Sequence, residues 1–450
     1  MDWRTRSLLK DNFCSSPWIH IRVAPDGHYW PCRWAWDGIS EDHKFHVKDY
    51  TIQEFFQKSH LMKTIRTQML AGEQPDMCKT CHYEQAQGKL TGRQRQLMKS
   101  GISLQRFDRT FCNSQHFKHF EHSHHNQGET ARYPTDLQID LGNTCNSSCI
   151  MCRPMWSSKV QVDHAKLNKV EPDIFPVPDK FRNWTQDQES VKHFVSGLEQ
   201  IGTDLKYVHF LGGETLYMKA FWDITERMAE IGFPNTTIGT TTNCTIYNPS
   251  IEKIAKRFKT VNLGLSIEAI TPLNDYVRYP ANIEVIKTNI KKYIALRKDY
   301  DIHLSLRITP NVLSIYHLDQ LIDWMIENDI MAESCNIMTD PKALRMELMP
   351  DDIRSQVLDK LLHTVYKHNM KRLDKPMLNR RIQERNQEVI TDITFEYVDF
   401  IKNYRQPDNV DEQRRDLVKY LTAYENMRNN NILEYLPEYE EFLRSNGYQR

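Results

Sequence analysis

Hydrophobic spacing changes character three times along the chain. Over residues 134–345, short apolar runs alternate with longer segments whose apolar positions recur every three or four residues. The strand-like runs are DLQIDLG, KYVHFLGG, TTIGTTTN, VNLGLSIEA, HLSLRITP and ESCNIMT. Between them lie helical patterns such as AFWDITERMAEIG, PSIEKIAKRF, NIEVIKTNIKKYIALRKDY and LDQLIDWMIEND. Strands alternating with helices predict parallel βα units, and six such units predict an α/β fold with a partial (β/α)6 barrel. Residues 157–190 are polar and too long for a simple crossover, which predicts an insertion.

Residues 1–90 read as a small α+β unit. WIHIRVA and HYWPCRW flank a PDG turn as a hairpin would. An amphipathic helix, IQEFFQKSHLMKTIRTQML, then runs to Gly72. Residues 91–133 are basic, rich in histidine and poor in aliphatic side chains, and are expected to form a linker. Residues 346–450 return to helical spacing, now highly charged, and predict a helical C-terminal extension.

Composition narrows the class of protein. The 450 residues carry 59 Lys+Arg and 59 Asp+Glu, a balance that does not indicate a nucleic-acid binder. A mean hydropathy of −0.65 and the lack of any long uncharged apolar run predict a soluble chain with no membrane span. The N-terminus has no apolar signal-peptide core, and a cytoplasmic location is expected.

Ten cysteines then become informative, because in a reducing compartment clustered thiols serve metal ligation or catalysis. Cys145, Cys149 and Cys152 stand in CxxxCxxC spacing directly after the first barrel strand. Structural zinc prefers four closed ligands, whereas three thiolates on one loop suit a [4Fe–4S] cluster with one open iron. That loop also lies at a strand C-terminal end, where βα folds build their sites. Cys14, Cys32, Cys78 and Cys81 form a second set around the hairpin and helix. Four thiolates in that arrangement allow zinc or an iron–sulfur cluster. Cys112, Cys244 and Cys335 fit no motif.

The CxxxCxxC loop, followed by GGE after the second barrel strand, resembles the radical S-adenosylmethionine (SAM) superfamily. The resemblance spans the barrel segment and implies that the open iron of the cluster chelates SAM. Reductive cleavage of SAM then yields a 5′-deoxyadenosyl radical for hydrogen abstraction. It further implies that Gly212, Gly213 and Glu214 bind the SAM amino group. Asn243, Ser266 and Glu268 lie in segments that line the SAM site in the family. Arg278 and Arg307 are candidates for the SAM carboxylate or for structural ion pairs. Three departures stand out: Met151 replaces an aromatic residue beside the adenine, GGET replaces GGEP, and Ser266-Ile267-Glu268 replaces S-x-D.

The N-terminal C-x-x-P-W opening and its CxxC closure resemble twitch and SPASM auxiliary-cluster domains, here placed ahead of the barrel. That resemblance implies a second [4Fe–4S] cluster. The expected function is a radical SAM enzyme acting on an unknown substrate, a peptide or protein by analogy, with a reductant such as flavodoxin or ferredoxin. Two other readings remain: a radical SAM enzyme for a nucleotide, sugar or RNA base, and a non-catalytic zinc-stabilised interaction or nucleic-acid-binding protein.

Overall fold

Alternation along the strands decides which way the sheet faces. The computed structural model describes residues 12–35, 45–86, 91–99, 115–176, 182–333, 335–370 and 382–450. Its sheet has eight strands in the order β2-β1-β3-β4-β5-β6-β7-β8. They are β1 (His20–Val23), β2 (Tyr29–Trp30), β3 (Asp136–Asp140), β4 (Tyr207–Leu211), β5 (Thr237–Thr242), β6 (Thr260–Leu265), β7 (Ile302–Leu306) and β8 (Met331–Ala332). Among these eight strands only the β1–β2 pair is antiparallel, and β2 and β8 stand at the two edges of the sheet.

Leu137, Val208, Ile238, Val261 and Ile302 share one register level and point to one face. All are buried. Helices Gln188–Ile201, Lys219–Ile231, Ile251–Arg257, Ile283–Leu296 and Leu318–Glu327 connect the strands and carry buried apolar faces of their own into the same core. Each such side chain removed from water contributes about 1.5–3 kcal/mol, which fixes the register because a one-residue slip would invert every face.

The opposite, inner face is polar. Its next register level carries Gln138, His209, Gly239, Asn262 and His303 in place of the branched apolar layers that fill a closed barrel.

The sheet extends beyond the six expected strands. β1 runs parallel to β3, with His20 opposite Asp136 and Val23 opposite Ile139. Charge complementarity secures this edge. The His20 ring lies 2.9 Å from Asp136, and Arg22 donates to buried Asp140 from Nε at 2.8 Å and Nη2 at 2.5 Å. The hairpin thus belongs to the main sheet. Cys14 and the residues around the CxxC motif pack instead into a second core, with Phe13, Trp18, Ile65, Met69, Leu70, Met77, Leu97 and Phe120.

Three expectations need correction. The 91–133 stretch is not simply a linker, since it contains helices Gly92–Lys99 and Gln115–His125. Phe120 and Leu97 anchor them, with Phe120 edge-on to Trp18 and Phe13 at 5.0 and 5.2 Å. The long N-terminal helix breaks at Ser59, whose side chain accepts from the Met62 N–H and starts a new helix, His60–Ala71, ending at Gly72. The last barrel strand is only Met331–Ala332, and the ESCNIMT run has left the sheet. There Asn336 donates to the Ile308 carbonyl at 2.8 Å, and Glu333 pairs with Arg307.

The C-terminal helices Asp351–Lys367, Ile382–Asn403 and Val410–Arg428 pack onto the barrel, burying Val357, Leu361, Tyr397, Leu417, Tyr420 and Leu421 in the main core.

Candidate active site at the strand C-termini

The loop after β3 carries Cys145, Cys149 and Cys152, and backbone bonds shape it. The Ser148 N–H donates to the Tyr279 carbonyl at 2.6 Å, and the Ile150 N–H to the Val277 carbonyl at 2.9 Å. The Cys145 N–H donates to the Ser158 hydroxyl at 3.2 Å, at the start of helix Ser158–Leu167. All three thiols line one cavity of about 240 Å³. Met151, Gly212, Gly213, Glu214, Asn243, Ser266 and Arg278 line it as well. Trp156, Ser147 and Thr241 also reach it, and no sequence motif had singled them out.

The segment after β4 lies against the cysteine loop. Gly213 donates to the Gly142 carbonyl at 3.0 Å, and a Cβ there would sit 2.4 Å from the Thr144 carbonyl oxygen. Only glycine permits that approach. Glu214 is buried, and its carboxylate accepts from the Asn243 N–H at 2.6 Å and the Leu216 N–H at 3.2 Å. Burial outweighs these donors and pushes its pKa up to about 7. Asn243 ties β5 to the cysteine loop, donating to Asn146 at 2.8 Å and to the Ser147 hydroxyl at 3.0 Å.

Two residues of the expected set have other partners. Glu268 does not line the cavity, for its carboxylate accepts from Arg278 Nη2 at 2.6 Å and from the Thr309 N–H at 3.0 Å. Arg307 also lies outside the cavity lining and pairs with Glu333, Nε to Oε2 at 2.5 Å. Its side chain runs along the inner face of the sheet, where a Cβ on Gly264 would come within 2.6 Å of Arg307 Nε. Arg278 keeps a double role. It is held by Glu268, lies 4.0 Å from the Cys149 sulfur, and has a buried Nε with no partner.

Burial raises the pKa of all three thiols, that of Cys145 to about 12. Arg278 and Arg428 oppose the effect at Cys149. Such thiols stay neutral alone, and bound metal is what deprotonates them.

Cys14, Cys32, Cys78 and Cys81 line a second cavity of about 20 Å³ with Met69, Met77, Trp34 and Arg93. Burial raises the Cys32 thiol to about 11, and the thiols raise one another further. Among the described residues, no three His, Cys, Asp or Glu side chains close on a single-ion site. Cys244 is buried in the main core, Cys335 is half-buried, and Cys112 lies outside the described residues. Among the described residues no helix is long and apolar enough to cross a membrane.

No curated protein matches the chain. Among solved structures, SuiB of Streptococcus suis bound to S-adenosylmethionine is 16% identical, with a TM-score of 0.31 over 64% of this chain and 60% of SuiB. The chain thus spans less than two thirds of that relative. Native anSMEcpe with bound AdoMet is 14% identical, with a TM-score of 0.37 over 69% of this chain and 100% of that one. Residues 139–309 match the family model of the radical SAM superfamily, a stretch that takes in the CxxxCxxC loop and the segments after β4, β5 and β6.

Proposed function

We propose that this chain cleaves SAM reductively on a [4Fe–4S] cluster held by Cys145, Cys149 and Cys152, and uses the product radical to abstract hydrogen from a substrate. The carrying observation is the convergence of three thiols, a buried carboxylate and a largely covered arginine on one cavity at the strand C-termini. When bound, the cluster supplies the electron that splits SAM into methionine and a 5′-deoxyadenosyl radical. The chain's own residues do the rest. Glu214 accepts N–H groups on both oxygens and suits the SAM amino group, whose positive charge would restore the carboxylate. Arg278, fixed by Glu268, has its free Nε available to the SAM carboxylate. Met151 offers a polarizable surface to the adenine in place of an aromatic ring.

The second thiol set is read as the ligands of an auxiliary [4Fe–4S] cluster that relays electrons, in a twitch- or SPASM-like module. Its support is that four thiols line one small, mostly apolar cavity. The substrate is read as a peptide or protein that presents a polar group, and the reductant as a flavodoxin or ferredoxin. The polar inner face of the sheet, with Gln138, His209 and Asn262 at one level, supports a polar reacting group. The same face suits a nucleotide, sugar or RNA base. A substrate affinity that falls steeply with salt would favour that second reading.

The test is anaerobic purification with iron, sulfide and zinc counting, followed by dithionite, SAM and an assay for 5′-deoxyadenosine. About eight irons per chain is the expected result for two cubane clusters. Tetrahedral zinc with no iron and no SAM cleavage would establish the non-catalytic alternative instead.

A further inference from the structure

The cysteine loop is also held by a part of the chain that no motif connects with it. Helix Val410–Arg428 lies against the loop beside the Val277–Tyr279 segment that bonds its backbone. Its Tyr420 hydroxyl donates to the Ile150 carbonyl at 2.5 Å, and Arg428 Nη2 donates to the Ser148 carbonyl at 2.5 Å. Ser148 and Ile150 flank Cys149, so the two bonds bracket one thiol.

Arg428 itself is buried, with 2% of its side chain exposed. Its guanidinium stacks 4.3 Å from the Tyr424 ring and 4.7 Å from the Tyr279 ring. Asp163 is the charged group facing it, at 3.8 Å, and accepts from the Ser148 hydroxyl on the same side. Helix Val410–Arg428 is in turn locked to the end of the chain. Buried Glu425 accepts from the Tyr448 hydroxyl at 2.9 Å, the Tyr276 hydroxyl at 3.1 Å and the Ile432 N–H at 2.6 Å. Tyr276 immediately precedes the Val277 carbonyl that receives the Ile150 N–H, so both sets of contacts join at Glu425.

We propose that the C-terminal extension is part of the SAM-cluster site: Tyr420 and Arg428 are positioning residues that clamp the loop around Cys149, and Arg428 places a fixed cation beside the bound cluster. The cluster half of this inference rests on the proposed function, while the clamp does not. A buried cation stabilises the more negative, reduced state of a nearby cluster, because little water intervenes to screen it.

The experiment compares wild type with Tyr420→Phe, Arg428→Gln and Arg428→Lys. Amide hydrogen exchange over residues 146–152 is measured first in the metal-free full chain. Loss of a buried charge-assisted bond predicts exchange at least about tenfold faster in Arg428→Gln, with a smaller, few-fold rise in Tyr420→Phe. Wild-type exchange in both variants would overturn the clamp. Tyr420→Phe removes a single oxygen atom, so it keeps the test open if Arg428→Gln does not fold.

The midpoint potential of the cluster whose electron paramagnetic resonance signal responds to SAM is then followed during reductive titration. Arg428→Gln should move it to a more negative value, and Arg428→Lys should restore most of the shift. An unchanged potential in Arg428→Gln would overturn the charge assignment. If wild type assembles no cluster, the proposed function fails, yet the exchange measurement still decides the clamp.

Discussion

The two thiol clusters differ more in their surroundings than in the thiols themselves. The three-thiol site opens into about 240 Å³ lined by Glu214, Asn243, Ser266 and Arg278, on loops that the main sheet holds in place. The four-thiol site encloses about 20 Å³ among Met69, Met77, Ala35 and Trp34, inside a separate small core. On the proposed reading, the open site, with three thiols for four irons, leaves room for a cofactor and a substrate. A closed apolar one has room only for what its own thiols hold. The same residue type thus stands beside an open cavity in one region and inside a small, mostly apolar one in the other.

The sharpest way to break that comparison is to remove one ligand from each. Cys145→Ala should abolish 5′-deoxyadenosine formation, a loss well beyond the roughly 10–100-fold cost of disturbing an outer-sphere partner. Full SAM cleavage by that variant would sink the assignment of the open site. Cys81→Ala should instead lower bound iron from about eight to about four per chain while deoxyadenosine formation survives. Equal damage from both substitutions would mean that the sites do not divide the work as their surroundings suggest.

A gentler test asks whether the small core stands by itself. Phe120 contacts Trp18 and Phe13 edge-on at 5.0 and 5.2 Å. Phe120→Ala should cost about 3–5 kcal/mol, as large-to-small changes at buried aromatic positions do. The loss should be local. Hydrogen exchange should accelerate over His60–Ala71 and Gln115–His125 and stay unchanged in β5, β6 and β7. Acceleration throughout the sheet would show the two cores to be one cooperative unit.

The sequence was most legible where the signal was local. Strands β3, β4 and β5 lie within the runs expected of them, and β6 and β7 start one residue ahead of theirs, since each alternates or carries a continuous apolar stretch under its helices. The thiols of the open site stand within eight residues of one another, so spacing alone brought them together. What was not legible depends on distance. β1 pairs with β3 across 116 residues, through His20 and Asp136, and no local pattern announces a parallel partner so far away. Arg428 reaches Ser148 across 280 residues, and from the sequence it is one charge among many on a solvated helix. Glu268 shows a different limit. Its position after β6 was legible, but its use as the anchor of Arg278 emerges only once both side chains are placed.

Glu214 offers the finest test of the contrast, because its chemistry depends on the open site's being occupied. Burial, only partly offset by Arg278 and the N–H donors, pushes the carboxyl pKa up to about 7 from 4.5. Between those values the folded chain binds a proton that the unfolded chain has already released. Stability must therefore fall as pH rises from 4.5 to 7, and this group's contribution levels off above 7. A displacement of that size corresponds to about 3 kcal/mol across the window. Glu214→Gln cannot ionise, so in metal-free protein its stability profile should lack that part of the slope. Denaturant melts of both proteins at pH 5 and pH 7 measure the difference. A SAM amino group held against the carboxylate would lower the pKa and flatten the wild-type profile toward that of the variant. Parallel profiles for wild type and variant in the metal-free state would show that Glu214 is already ionised when folded, and that the cavity is wetter than its walls imply.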